Sequence, residues 1–243
     1  QIEVLRLLKQ HYRDGVMLTY DPIMNTGKTY TLAAGVGAFM GAVRKIDAHK
    51  YDLAIYCCNL TGVTIEAART AFHAGTKIAL GFQNPTYSPS PGEKPGDFDA
   101  RLEGKLRGLE PDQYLSRKKE LIHEWEKQHG YFIKPHYSCK SRDDIEMIVT
   151  TPHVAALIVK SMVTRYGEET VGNRVTILLD EPTIGADEPY SDLLRHNIEL
   201  LAMPVKRIVL ASASMPGSEE LGPIIEAFRT RNSAGVVTAV HSS

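Results

Sequence analysis

Gly27-Lys28-Thr29 near one end of the chain and Asp180-Glu181 near the other are the residues best suited to chemistry. The first group follows a β-prone run, Val16 to Tyr20, across a turn with Pro22, Asn25 and Gly27. It leads into an Ala-rich, helix-like segment extending to about Arg44. Strand, turn and helix in that order make an anion cradle. Successive backbone N–H groups curl around a phosphate, and the helix N-terminus adds its dipole. In such a loop Lys28 reaches the β- and γ-phosphates of a nucleotide, and the Thr29 hydroxyl is a Mg²⁺ ligand. The expected nucleotide contacts are Asn25, Thr26, Gly27, Lys28, Thr29 and Tyr30. The full pattern G-x-x-x-x-G-K-T is incomplete, since Pro22 stands where its first Gly belongs. Asn25 stands where another Gly is common, and Asn tolerates positive φ better than most residues.

The second group closes VTILLDEPT, where an apolar strand-like run, Val175 to Leu179, delivers two carboxylates at its C-terminal end. Opposite a phosphate loop, Asp180 holds Mg²⁺ through water, and Glu181 orients or deprotonates the attacking water. Lys28, Asp180 and Glu181 are therefore the candidate catalytic residues. Thr29 and Asp180 are the candidate metal ligands, with ATP and Mg²⁺ as the expected substrate and cofactor.

The rest of the chain must bring these ends together. Its 243 residues suit one parallel-sheet domain with an insertion, and 43% hydrophobic with 23% charged residues is ordinary for a globular protein. A net charge of −1 excludes a globally basic nucleic-acid binder, so any such contact must be local. Three cysteines, with Cys57 and Cys58 adjacent, make no disulfide framework, and a reducing, intracellular compartment is expected. No signal peptide or long apolar run is present, so no membrane span is expected. The chain opens on Gln1, and a fragment of a longer protein is expected.

Apolar spacing predicts a helix over Ile2 to His11, a strand over Tyr51 to Cys58, a helix over Val63 to Ala74 and a strand over Lys77 to Phe82. Asn84 to Gly96 is rich in Pro, Ser and Gly, and Pro111 opens a helix through Gln128, with Leu115, Ile122 and Trp125 on one side. Residues 84 to 137 are expected to be an insertion. The core resumes with a strand over Ile145 to Thr150 and a helix from His153 to about Tyr166. Strand Val175 to Leu179, helix Asp192 to Met203, strand Arg207 to Ala211 and a last strand Val236 to Val240 follow. Such alternation predicts an α/β fold, a mostly parallel central sheet flanked by helices, with a partly helical insertion.

DEPTIGAD resembles the LLDEPTxGxD stretch of ATP-binding-cassette ATPases, but no LSGGQ-like signature precedes it and no switch His ends the next strand. RIVLASASMP instead resembles the Ser-Ala-Thr motif III of superfamily-two helicases, with Ser214 for the usual Thr. The order of motifs then resembles the first RecA-like domain of that family. MNTGKT is similar to motif I, CCNLTG to Ia, VTTPHV to Ib, and DEPT to motif II, the DExx box. The resemblance implies a RecA-like P-loop domain that hydrolyses Mg·ATP to drive translocation on, or remodelling of, DNA or RNA. It implies that Asn59, Thr61, Thr151, Pro152 and His153 address the phosphates of a single strand. It further implies that Ser212, Ala213 and Ser214 couple the DExx box to a second RecA-like domain. The residues after Ser214 have no room for that domain, so the chain is expected to be half of a motor. A cassette-type ATPase and a non-catalytic module of the RecA-like fold are the remaining alternatives. His136 and Cys139 have no second pair nearby in sequence, so no zinc site is expected.

Overall fold

The computed structural model describes residues 2–22, 27–85, 93–188, 190–217 and 219–241. Gln1, Asn25 and Thr26 lie outside them. The chain begins with α1 (Ile2–Gln10), which buries Val4, Leu7 and Leu8 at helical spacing, and enters β1 (Val16–Asp21). After the loop come a π-helical stretch, Tyr30–Gly35, and α2 (Val36–Val43). Then follow β2 (Leu53–Cys58), α3 (Thr61–His73) and β3 (Ile78–Gln83). The segment expected as an insertion holds α4 (Asp97–Leu106) and α5 (Pro111–Gln128), and it returns through β4 (Tyr131–Pro135). The remainder runs β5 (Met147–Thr150), α6 (Pro152–Tyr166), α7 (Glu168–Arg174), β6 (Val175–Asp180) and α8 (Asp192–Leu201). It closes with β7 (Arg207–Ala211), α9 (Gly222–Arg231) and β8 (Val236–His241).

The fold is α/β. Among the described residues one eight-stranded sheet has the order β4-β3-β5-β2-β6-β7-β1-β8. Every pairing is parallel except β3 with β4. Strands β2, β6 and β7 are almost wholly buried, which is why they read as unbroken apolar runs rather than alternating ones. Alternation still sorts their side chains by face. Leu18, Tyr20, Tyr56, Cys58, Leu178 and Val209 pack under α1, α2 and α3. Met17, Ile55, Cys57, Ile177, Leu179 and Ile208 pack under α6 to α9.

The 84–137 segment is tied to the core rather than held apart from it. Its β4 extends the sheet, Trp125 Nε1 donates to Ser161 Oγ of α6 at 2.7 Å, and Arg142 pairs with the buried Glu126. A small core of Phe98, Leu102, Leu106, Leu121 and Trp125 joins α4 to α5. Leu115 departs from the helical-face reading: it is 59% exposed, and Leu121 packs beside Trp125 instead. Helices α4 and α7 and strand β4 were not expected from the pattern. Charge hides the first, and the other two are short.

At the amino-terminal edge of the sheet Arg207 is fully buried at the start of β7. It donates to Thr176 Oγ1, Tyr12 O and Asn173 O at 2.9, 2.9 and 2.8 Å, and its guanidinium lies over the Tyr12 ring. Each of its three nitrogens finds an acceptor, which helps to make burial of this cation tolerable.

Candidate active site

Because the strands run parallel, the loops after β1, β2, β5, β6 and β7 all leave from one edge of the sheet. Ligands of open α/β sheets bind outside the carboxyl ends of the strands. Strand register sets the first part of the site. Cys58, Asp180, Ala211 and Tyr20 stand side by side across β2, β6, β7 and β1. Asp180 is the last residue of β6 and is 0% exposed; Glu181 follows it at φ 56°, the left-handed region that non-glycine residues rarely occupy. Glu181 N donates to Ala211 O at 2.8 Å, so the turn is pinned to the neighbouring strand. Strain of this kind persists only where the surroundings over-determine it.

Lys28 meets this acidic pair. Its ammonium forms an ion pair with Glu181 and lies 2.9 Å from Asp180 Oδ1. Burial works against the Lys28 charge, but the hydrogen bond to Glu181 and the attraction of both carboxylates outweigh it and hold its pKa above the ordinary lysine value. The lysine sits one residue after Gly27, whose φ of 82° requires a glycine there. Thr31 N and Thr31 Oγ1 both donate to Gly27 O, at 2.9 and 3.2 Å, locking the first turn. The helix then continues as a π-helical stretch, a form frequent at functional sites.

Two further side chains complete the cluster. Ser212 Oγ, buried just after β7, donates to Glu181 Oε2 at 2.6 Å, and Ser214 N donates to Ser212 Oγ at 3.2 Å. Tyr56 OH donates to Asp180 Oδ2 at 2.5 Å. Burial, then the Asp180 charge, push the Tyr56 phenol far above its ordinary pKa, while the Thr29 hydroxyl, facing the same oxygen, opposes the rise. Asp180 Oδ1 has the Lys28 charge beside it but no well-aligned hydrogen bond. A buried carboxylate oxygen so placed, near a threonine hydroxyl, is a hard-donor set that suits Mg²⁺ with water and phosphate oxygens filling the other positions. Among the described residues no group of three or more His, Cys, Asp or Glu converges on a cation site.

The residues expected along a nucleic-acid strand lie on the same edge, farther from β1. Thr61 begins α3 and is exposed, and Thr151 caps α6 with its side chain unengaged in the cap. Pro152 is buried as the first residue of that helix. Asn59 does not face open solvent alone: its Nδ2 donates to Asn197 Oδ1 at 3.2 Å, and the buried Asn197 donates to Pro182 O at 2.7 Å. His153 lies against His196, ring centroids 4.3 Å apart and tilted by 40°, and burial followed by the His196 charge lowers its pKa. Tyr30 is 61% exposed, and Ala213 and Ser214 are exposed.

Sequence reasoning missed Tyr56 and Asn197. The first had a signal, a lone phenol inside an apolar strand; the second, one polar residue in an amphipathic helix, had none. A mainly apolar groove of about 620 Å³ between α8 and α9 opens beside Thr183, Ser214 and Met215. Comparison with protein-family models and with curated proteins gave no match for this chain.

Proposed function

We propose that this chain is a RecA-like P-loop ATPase domain of superfamily-two helicase type, binding and hydrolysing Mg·ATP to act on DNA or RNA. The observation that carries the reading is Lys28, behind a positive-φ glycine, resting on Asp180 and Glu181 at the carboxyl edge of a parallel sheet. In this reading the contact is the resting state. A phosphate chain entering the loop takes the Lys28 ammonium and releases both carboxylates. Asp180 and Thr29 would hold Mg²⁺, which when bound neutralises phosphate charge and orients the γ-phosphoryl group. Glu181, aimed by Ser212, accepts hydrogen bonds from the attacking water and draws off its proton.

Asn59, Thr61, Thr151 and His153 would face the backbone of a single strand, where hydroxyl, amide and helix-terminal groups contact phosphates without reading sequence. The relay from Asn59 through Asn197 to the Pro182 carbonyl supports a link between that edge and the acidic turn. Exposed Ser214, the neighbouring groove and buried Ser212 support docking of a second RecA-like domain. Such a domain would supply the arginine finger and the closed cleft that speed hydrolysis.

Glu181→Gln tests the reading. Binding of Mg·ATP should persist, while steady-state phosphate release falls by a factor on the order of 10² or more, the usual worth of a positioned base. Turnover equal to that of the parent removes Glu181 from the chemistry and the ATPase reading with it.

A further inference from the structure

Tyr56 lies in the interior of β2, opposite Leu178 on β6, and Cys58, two residues on, stands opposite Asp180. Alternation puts Tyr56 and Asp180 on the same face of the sheet, as diagonal neighbours on adjacent strands, a separation that an aromatic side chain spans. The ring is buried among the residues under α2 and α3, so only the phenolic oxygen reaches the site. That oxygen donates to Asp180 Oδ2 at 2.5 Å. Cys57 turns to the opposite face, where its thiol donates to Leu178 O.

The consequence concerns the carboxylate's two oxygens. With Oδ2 fixed by a neutral donor, Asp180 cannot rotate, and Oδ1 stays aimed at the Lys28 side of the site. A phenol is suited to this task. It holds one oxygen without adding a positive charge that would compete with a cation, and its aromatic stem keeps water from the buried carboxylate. A lysine or arginine there would neutralise the ligand instead.

We propose that Tyr56 is the positioning residue of the divalent-cation site, orienting Asp180 for Mg²⁺ without touching the nucleotide. This rests on the ATP-site reading above and assigns the cation dependence of that site to a residue outside the loop and the acidic turn.

The test is calorimetric titration of ATP into the parent protein and Tyr56→Phe, each with excess EDTA and across a Mg²⁺ series. Phenylalanine keeps the ring and removes only the hydroxyl. Metal-free ATP affinity should agree within about twofold, while the Mg²⁺ concentration for half-maximal gain in affinity rises about tenfold or more in the variant. An identical Mg²⁺ dependence in the two proteins overturns the role of Tyr56 and leaves the ATP site standing. A parent that binds no ATP, or binds it without regard to Mg²⁺, overturns both. Should Tyr56→Phe fail to fold, the parent labelled with ¹³C at the tyrosine ring carries the test. Mn²⁺ with ATP should broaden the Tyr56 resonance before those of tyrosines outside the site. A Tyr56 signal that survives while others vanish contradicts the proposal.

Discussion

Glu181 is where three local demands meet. Its backbone adopts φ 56°, its amide is spent on Ala211 O, and its two carboxylate oxygens are divided between Lys28 and Ser212. A left-handed conformation at a glutamate costs about 1–2 kcal/mol, a cost the surrounding strand pairings offset. Division of the oxygens has a testable result. Ser212→Ala removes the 2.6 Å donor from Oε2 and frees the carboxylate to turn. A hydrogen bond to a charged group contributes about 1.5–3 kcal/mol, so turnover should fall roughly tenfold or more while Mg·ATP affinity is nearly unchanged. Equal loss of binding and turnover would place Ser212 in nucleotide binding instead.

At the scale of elements, parallel strands do most of the positioning, and this part was largely legible in the sequence. The apolar runs of β2, β6 and β7 were visible because strands covered on both faces have no polar alternation to hide them. The pairing of loop and acidic turn was legible as motif order, since a strand–loop–helix and an acidic strand end are local patterns. What local pattern cannot carry is register. Tyr56 meets Asp180 only because β2 lies beside β6 with Cys58 level with Asp180, and nothing within β2 encodes that offset. Helix α4 was missed because its buried Phe98, Leu102 and Leu106 are diluted by charge, and β4 because five residues are too few to show a period.

The element that ties α5 down also sets a pH dependence. Burial lifts the Glu126 carboxyl to about 7, against the opposing pull of Arg142. The folded protein therefore binds more protons at this residue than the unfolded chain does between the ordinary glutamate range and about pH 7. Its contribution to stability is complete at low pH and is lost as pH rises through that window. Urea melts of the parent and Glu126→Gln from pH 4.5 to 7.5 should differ in slope, the variant declining less. Parallel curves would remove Glu126 from the pH dependence.

At the scale of the molecule, positive and negative charges nearly cancel, at −1 overall. Binding of a single strand by the Thr61–Thr151 edge should accordingly be weak, tolerant of sequence and sensitive to salt. With donors addressed to phosphates, log affinity should fall linearly with log salt, by about 0.7 per phosphate neutralised. Anisotropy with unrelated oligonucleotides across a salt series measures this, and tight binding that ignores salt would move recognition to stacking on bases. The account as a whole turns on whether the loop holds a nucleotide through Lys28. Calorimetry of Mg·ATP on the parent and on Lys28→Ala, each verified folded by thermal melting, is the direct measurement. The account predicts binding by the parent and a loss of at least about tenfold, ~1.4 kcal/mol, in the variant. Equal affinity in the two folded proteins, or no binding by the parent, would contradict it.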